Sequence, residues 1–131
     1  MTHRIKAIQA GRPRIRPART VQTDELVAYI AQHTGYNAGD ILHMLAEFHD
    51  AVVHFNRYGS GVKLEGLGIY MPNIRLDGTL DIQHRLDHRL KRDLNRGTFS
   101  GEIVNRENIG KTADELVALW NEAHPDDLVE G

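Results

Sequence analysis

Five Lys and Arg side chains fall within twelve consecutive positions, a density that suits contact with phosphate groups. They are Arg85, Arg89, Lys91, Arg92 and Arg96. Each cation that contacts a nucleic-acid phosphate releases condensed counterions, so several on one face give salt-dependent binding. Asp87 and Asp93 are interleaved with them, which is also typical of a solvated surface with local ion pairs. The spacing alone leaves both interpretations open.

A second basic group lies near the N-terminus, in a stretch that holds two prolines and no acidic residue. Its alternating members are Arg12, Arg14 and Arg16. Because proline disfavours a helix, we predict an extended basic arm over residues 1–19, suited to a DNA minor groove or acting only as a solubilising tail. Residues 112–131 instead hold six acidic residues and no Lys or Arg. This asymmetry predicts different partners for the two ends.

Other arrangements of reactive side chains point to no catalysis. His43, Glu47, Asp50 and His54 share one helical face, but helix-borne metal sites draw ligands from several helices. We interpret this face as the polar side of an amphipathic helix and expect no metal or other cofactor. The sequence contains no nucleophile elbow, phosphate-binding loop or recognisable acid/base pair. We therefore expect a non-enzymatic protein with no small-molecule substrate.

Composition indicates an ordinary globular chain. It has 131 residues, a net charge of −2, 40% hydrophobic residues and no cysteine, which excludes disulfide frameworks and thiolate metal sites. No apolar run approaches the roughly 20 residues of a membrane helix, and no secretory signal is evident. We expect a cytoplasmic protein without a membrane partner.

The helical period predicts two consecutive helices. The first should begin at Thr23 and end at Gly35, and the second should begin at Asn37 and end at Tyr58. The second helix carries apolar residues at spacings of four, three, four and three, the pattern of a seam that packs along another helix. We predict that this seam forms a dimer interface. Its members are Ile41, Leu45, Phe48, Val52 and Phe55.

After the second helix the period changes to that of strands. Apolar residues alternate from Val62, Gly66-Leu67-Gly68 forms a bend, and Asp77-Gly78 is a strong hairpin turn. We predict an antiparallel sheet over residues 62–83, with an interruption at Pro72. Residues 84–96 fit either a helix or a strand, and their periodicity leaves both open. A capping box that starts at Thr112 predicts a last helix.

The order and spacing of these motifs carry a likeness that runs from Thr20 to about Asn95. The helix Thr23-Asp-Glu-Leu-Val-Ala-Tyr-Ile, the turn Thr34-Gly35 and the segment Gly61-Val-Lys-Leu-Glu-Gly-Leu-Gly-Ile-Tyr resemble those of the histone-like HU and integration host factor proteins of bacteria. Ala18-Arg19-Thr20 and the step Pro72-Asn-Ile-Arg75 are similar to a divergent branch of that family.

This resemblance implies an intertwined homodimer whose helices form the base and whose two β-arms embrace and bend duplex DNA. It also favours the strand interpretation of residues 84–96. The family carries an Arg-Asn-Pro step at the tip of the arm, whose proline wedges between base pairs. No such step occurs in the sheet region of this chain. We therefore expect a short or rebuilt arm.

Together these observations predict an α+β protein: a two-helix hairpin, a small antiparallel sheet with a β-arm, and a C-terminal helix. The domains are a basic arm (1–19), an HU-like domain (20–96) and a C-terminal extension with an acidic tail (97–131). We expect a nucleoid-associated protein that binds duplex DNA through backbone and shape. The alternative is a protein–protein assembly module on the same scaffold. The expected DNA-binding residues are Arg12, Arg14, Arg16, Arg75, Arg85, Arg89, Lys91, Arg92 and Arg96.

Overall fold

The computed structural model describes residues 2–129, which divide into two compact units. A central unit contains residues 21–99, and a terminal unit combines residues 2–20 with 100–129. Between residues 2 and 129 the protein has five α-helices and two small antiparallel sheets, an α+β architecture. In chain order the elements are α1 (Arg4–Gly11), β1 (Arg14–Arg16), α2 (Thr23–Thr34), α3 (Ala38–Arg57), β2 (Val62–Leu64), β3 (Gly68–Ile74), β4 (Leu80–Leu86), α4 (His88–Arg96), β5 (Glu102–Val104), a 3₁₀ turn (Arg106–Asn108) and α5 (Ala113–Ala123).

The two predicted helices are confirmed as α2 and α3. Helix α2 begins at Thr23 as its first helical residue, while Gln22 occupies the N-cap. It ends at Gly35, whose φ of 76° places it in the left-handed region that glycine adopts without steric cost. Asn37 caps α3, because its side-chain oxygen accepts hydrogen bonds from the backbone N–H groups of Gly39 and Asp40.

Helix α3 packs against one face of the central sheet. Phe48 meets Tyr70 of β3 edge to face, with ring centroids 5.9 Å apart. Further along α3, the buried Asn56 amide donates hydrogen bonds to the carbonyls of Ser60 and Tyr70. These contacts define an inner sheet face, which points to α3, and an outer face on the opposite side.

The central sheet has the order β2-β3-β4 and is antiparallel throughout. Strand β3 continues through Pro72 to Ile74, so the predicted interruption at this proline is wrong. Val62, the first residue of β2, lies opposite Tyr70, and from Met71 onward β3 pairs only with β4. Pro72 therefore sits where β3 has become an edge strand, and an edge strand tolerates the missing N–H.

Gly68, where β3 begins, is required by a close backbone approach. It is buried, its φ is 149°, and it pairs with Leu86 of β4. A Cβ atom at this position would lie 2.3 Å from the Arg85 carbonyl oxygen. The second glycine of the Gly66-Leu67-Gly68 bend is thus fixed by sterics as well as by backbone conformation.

We expect Gly68→Ala to lower the free energy of unfolding by at least about 2 kcal/mol, because it adds both a clash and backbone strain. Gly97→Ala is the matched control, since a Cβ there meets nothing within 4 Å and the Gly97 φ is negative. Urea unfolding of both variants measures the difference. Equal stability of the two would contradict the close approach at Gly68.

Residues 88–96 form the helix α4, so our preference for a strand over residues 84–96 is wrong beyond Leu86. Asp87 decides the change of period, because its carboxylate caps the new helix by accepting the Arg89 N–H at 2.8 Å. The strand pattern holds up to Leu86, where β4 ends, and the helical spacing holds over α4. The cap at Asp87 marks the boundary between the two.

In the terminal unit the two chain ends pair with each other. Residues 4–11 form a helix, so the predicted extended arm over residues 1–19 is wrong there. Residues 14–16 are extended as predicted, but they form a strand that pairs with β5. Helix α1 packs against α5 through the buried Ala7 and Leu116. Thr2 hydrogen-bonds Asp127, and Arg4 forms an ion pair with Asp114. The basic and acidic ends therefore contact each other in this unit, and that they have different external partners stays a prediction.

Candidate nucleic-acid interface

A row of three side chains crosses the outer face of the central sheet. Ile69 of β3 pairs with Lys63 on one side and with Arg85 on the other. Because neighbouring strands lie about 4.8 Å apart, the two cationic residues stand roughly 10 Å from each other across Ile69. Both are exposed, and Lys63 approaches Glu65 at 3.4 Å. The outer face therefore offers two separated cations beside an apolar centre.

Lys63 was not among the predicted DNA-binding residues. Its signal was present in the sequence, because it alternates with the inward-facing Val62 and Leu64 and so had to point outward. Arg85 was predicted, and the register of β4 with β3 places it level with Lys63. Strand register, which the sequence left open, brings the two together.

Helix α4 carries four of the predicted residues. Arg92 and Arg96 lie one turn apart and both approach Asp93, at 3.2 and 3.6 Å. The Lys91 ammonium is exposed and forms no ion pair within residues 2–129. Leu90 and Leu94 occupy a different side of the helix. The cationic side of α4 is thus partly compensated by one carboxylate.

Arg89 is held in a tight ionic cluster at the start of α4. Its guanidinium lies 3.0 Å from the Asp87 carboxylate and 2.5 Å from that of Glu65. The hydrogen bonds from Arg89 hold the pKa of Asp87 well below its usual range and also lower the pKa of Glu65. These two carboxylates raise the pKa of Arg89 further above its ordinary value. Arg89 ties α4 to the β2–β3 turn, where Leu67 accepts a hydrogen bond from the Asp87 N–H at 2.9 Å.

We expect Asp87→Ala to loosen α4, measured as faster amide hydrogen exchange over residues 88–96, because the cap and the ion pair are lost together. Asp93→Ala, which removes a carboxylate that does not cap, is the control and should leave this exchange slow. The pKa of Asp87 is lower in the folded protein than its ordinary value near 4. The stabilisation of α4 by the Asp87 carboxylate is therefore complete above about pH 4 and is lost progressively as the pH falls towards the folded pKa. Unchanged protection between pH 5 and pH 2 would rule out this role.

The hairpin between β3 and β4 is short. Beyond the end of β2, only Met71–Ile74 and Leu80–Gln83 continue as a two-stranded ribbon, which we call the ribbon. At 3.4 Å per residue it projects about 14 Å. Arg75, predicted as a DNA contact, lies at its end and forms an ion pair with Asp81 at 3.1 Å.

The other predicted cations belong to the terminal unit. Arg14 and Arg16 lie on one face of β1, opposite Val104 and Glu102 of β5, and Arg16 pairs with Glu102 at 2.9 Å. The carbonyl of Arg12 accepts a hydrogen bond from the Asn105 side chain. Arg14 and Arg16 therefore lie in a folded two-stranded segment, and Arg12 lies at the end of α1 just before it. The remaining six predicted residues lie in the central unit.

Charge is distributed unevenly along the central unit. Residues 21–56, which contain α2 and most of α3, hold five acidic residues and no Lys or Arg. Residues 57–99, which contain the sheet and α4, hold eight Lys and Arg against five acidic residues. Any anionic polymer is therefore attracted to the sheet and α4 and repelled by the helical hairpin.

The predicted dimer seam on α3 is only partly covered within one protomer. Ile41 and Val52 are buried, whereas Leu45 remains 36% exposed and Phe55 50% exposed. Among the described apolar residues of the central unit, only Ile41, Val52 and Val27 are buried. An apolar groove of about 560 Å³ also opens between α3 and the ribbon, lined in part by Val53, Ile74 and Ile82.

Two other kinds of site find no support between residues 2 and 129. No group of three or more His, Asp or Glu side chains is arranged to hold a metal ion. The helices of this part of the chain are also too short or too polar to cross a bilayer.

Comparison with known proteins identifies the family. A family model named HU-HIG, described as an HU domain fused to a wHTH, Ig or glycine-rich motif, matches residues 5–100. This is well over half of the chain. The chain belongs to the HU-HIG family. The predicted HU-like family is thereby confirmed, and the whole central unit of this HU-HIG protein falls within the match. The search of curated proteins gave no match.

Proposed function

We propose that this HU-HIG protein is a non-enzymatic DNA-binding protein of the nucleoid. The carrying observation is the outer sheet face, where Lys63 and Arg85 flank Ile69 beside the cation-bearing α4. Cations spaced about 10 Å apart on a rigid sheet suit the regular phosphates of a duplex. In a family of HU domains, this is the surface that we assign to DNA.

This surface supports a mode of binding in which the protein contacts the phosphate backbone of the DNA and recognises the shape of the duplex. Its cationic side chains are Lys and Arg on strands β2 and β4 and on helix α4, and side chains of these types suit contact with phosphates. Phosphate contacts position a protein without reading sequence, and groove width and deformability supply the remaining preference.

The proposed assembly is a homodimer formed through α3. The central unit buries three apolar side chains among its described residues, too few for a stable core of this size. Leu45, Phe55 and the groove beside α3 remain open to a second apolar surface. A second copy offers the same surface, as the isologous interface of a two-fold dimer requires.

A salt titration of binding to a duplex of about 30 base pairs tests this function. We expect the logarithm of the binding constant to fall linearly with the logarithm of salt concentration, by about 0.9 for each phosphate contacted. Absence of binding at low salt, or binding without a salt slope, overturns the proposal. Capture of a specific protein by a chain that does not bind DNA would indicate the assembly module instead.

A further inference from the structure

We propose that strand β1 is a docking edge for an extended acidic peptide, which adds to the sheet of the terminal unit as a third strand. The peptide that fits this edge alternates acidic and apolar residues, as in Glu-Ile-Glu-Ile-Glu. The site takes a protein segment, and it does not rest on the DNA binding proposed for the central unit.

The first observation is an unpaired strand edge. The described sheet of the terminal unit has only the strands β1 and β5, so each pairs on one side. In an antiparallel pair, alternate residues direct their N–H and C=O groups away from the partner strand. Between residues 2 and 129, no hydrogen bond reaches the outward backbone groups of Arg14–Arg16. A peptide strand would supply these groups with partners, which is how exposed sheet edges bind extended segments.

The second observation is that this sheet is incomplete by itself. Strands β1 and β5 have three residues each, and in the described part of the terminal unit neither α1 nor α5 packs extensively on them. A two-stranded ribbon is marginally stable in water, and a third strand or a covering helix stabilises it. All of β1 is exposed, including Ile15 at 58%. A third strand on the open side of β1 would therefore stabilise the sheet.

The third observation is the charge pattern of β1, for which β5 shows what a neighbouring strand looks like. On one face Arg16 lies opposite Glu102, with which it forms an ion pair at 2.9 Å. Arg14 shares this face, lies opposite an apolar residue and forms no ion pair within the described chain. On the other face Ile15 lies opposite Ile103. A second neighbouring strand with carboxylates on the arginine face and an apolar residue beside Ile15 complements this pattern.

The same pattern disfavours other occupants of the edge. Antiparallel pairing with β1 of a second copy would set Arg14 and Arg16 of the two copies opposite each other, and like charges in this position are destabilising. Pro13 and Pro17 flank the strand, so the edge accepts only a short segment. A nucleic acid would use the arginines but would leave the backbone edge and Ile15 without partners. The acidic peptide satisfies all three features.

The test measures binding of a fluorescein-labelled Glu-Ile-Glu-Ile-Glu peptide to the full chain by anisotropy. We expect micromolar binding, about tenfold weaker binding of a Gln-Ile-Gln-Ile-Gln peptide, and slower amide exchange of residues 14–16 in the complex. Two further peptides, methylated at the backbone nitrogens of either the Glu or the Ile residues, separate strand addition from simple charge attraction. Because alternate residues of a strand direct their N–H groups to the same side, one of these peptides should bind and the other should not.

Arg14→Glu should weaken binding of the acidic peptide about tenfold, because it replaces an attraction by a repulsion on the same face of β1. Arg106→Glu is the matched control, since Arg106 is an exposed arginine of the same unit that lies outside both strands. It makes the same change of charge and should leave the affinity near that of the wild type.

Equal binding of the two methylated peptides would indicate an ionic contact without strand addition and would overturn the proposal. An Arg14→Glu variant that keeps its affinity for the acidic peptide would overturn it as well, and if that variant binds duplex DNA more weakly, the β1 arginines contact DNA instead. A wild type that binds duplex with a salt slope but binds no peptide contradicts this inference alone. A wild type that binds the peptide but no duplex contradicts only the proposed function.

Discussion

Replacing Lys63 and Arg85 together with alanine is expected to weaken duplex DNA binding about 100-fold at moderate salt. The two side chains flank Ile69 on the outer sheet face, and each is expected to neutralise one phosphate. Because the proposed homodimer would carry both residues twice, the salt slope should fall by as much as about four. Fluorescence anisotropy at several salt concentrations measures both quantities for the wild type and the double variant.

Arg106→Ala supplies the control for a removed charge. Arg106 is exposed in the 3₁₀ turn of the terminal unit, outside the proposed DNA surface. We expect its loss to leave the slope near that of the wild type. A double variant that keeps its circular-dichroism spectrum and its salt slope would show that the outer face is not where DNA binds.

The second large effect concerns the seam on α3. We expect Leu45→Lys with Phe55→Lys to convert the proposed dimer to a monomer at micromolar concentration and to lower the free energy of unfolding by about 3 kcal/mol or more. Both side chains are partly exposed in one protomer, so this cost arises mainly where a partner covers them. Sedimentation velocity gives the oligomeric state. Thermal unfolding at several protein concentrations shows how strongly the stability of the fold depends on dimer formation.

Ala46→Lys is the matched control, because Ala46 is exposed on α3 away from the seam. It places the same charge on the same helix and should leave a concentration-dependent Tm. A wild type whose Tm does not vary with concentration, or a Leu45/Phe55 variant that sediments like the wild type, would refute the α3 interface.

The sequence predicted most of the central unit because its signals are local. Asn37 and Gly35 act within one turn of the backbone they cap, and Asp77-Gly78 closes a hairpin between adjacent strands. The family likeness rested on the same local motifs, in order. Caps and tight turns depend only on residues that are close together in the chain, so they can be predicted from the sequence.

The errors arose in two ways, either because distant residues decide the structure or because two local periods overlap. The proline-containing N-terminus lacks a helical period of its own. Its strand exists because β5, about 90 residues later, pairs with it, and its helix exists because α5, about 110 residues later, packs against it. At residues 84–96 two periods overlapped, and a single cap at Asp87 selected between them. Lys63 was overlooked because it is a single cation in a three-residue strand. Only the register of the sheet shows that it lies level with Arg85 across Ile69.

The pairing of the chain ends in the terminal unit also bears on the order of folding during synthesis. The central unit is contiguous, so it has all its residues once position 99 has left the ribosome. Helix α1 and strand β1 are made before the central unit, yet they must wait for β5, α5 and Asp127 before they acquire their partners. Residues 4–16 are thus among the last of the described residues to fold. Their amide hydrogens should exchange together with those of residues 102–123 as a single cooperative unit, although most of the chain lies between them.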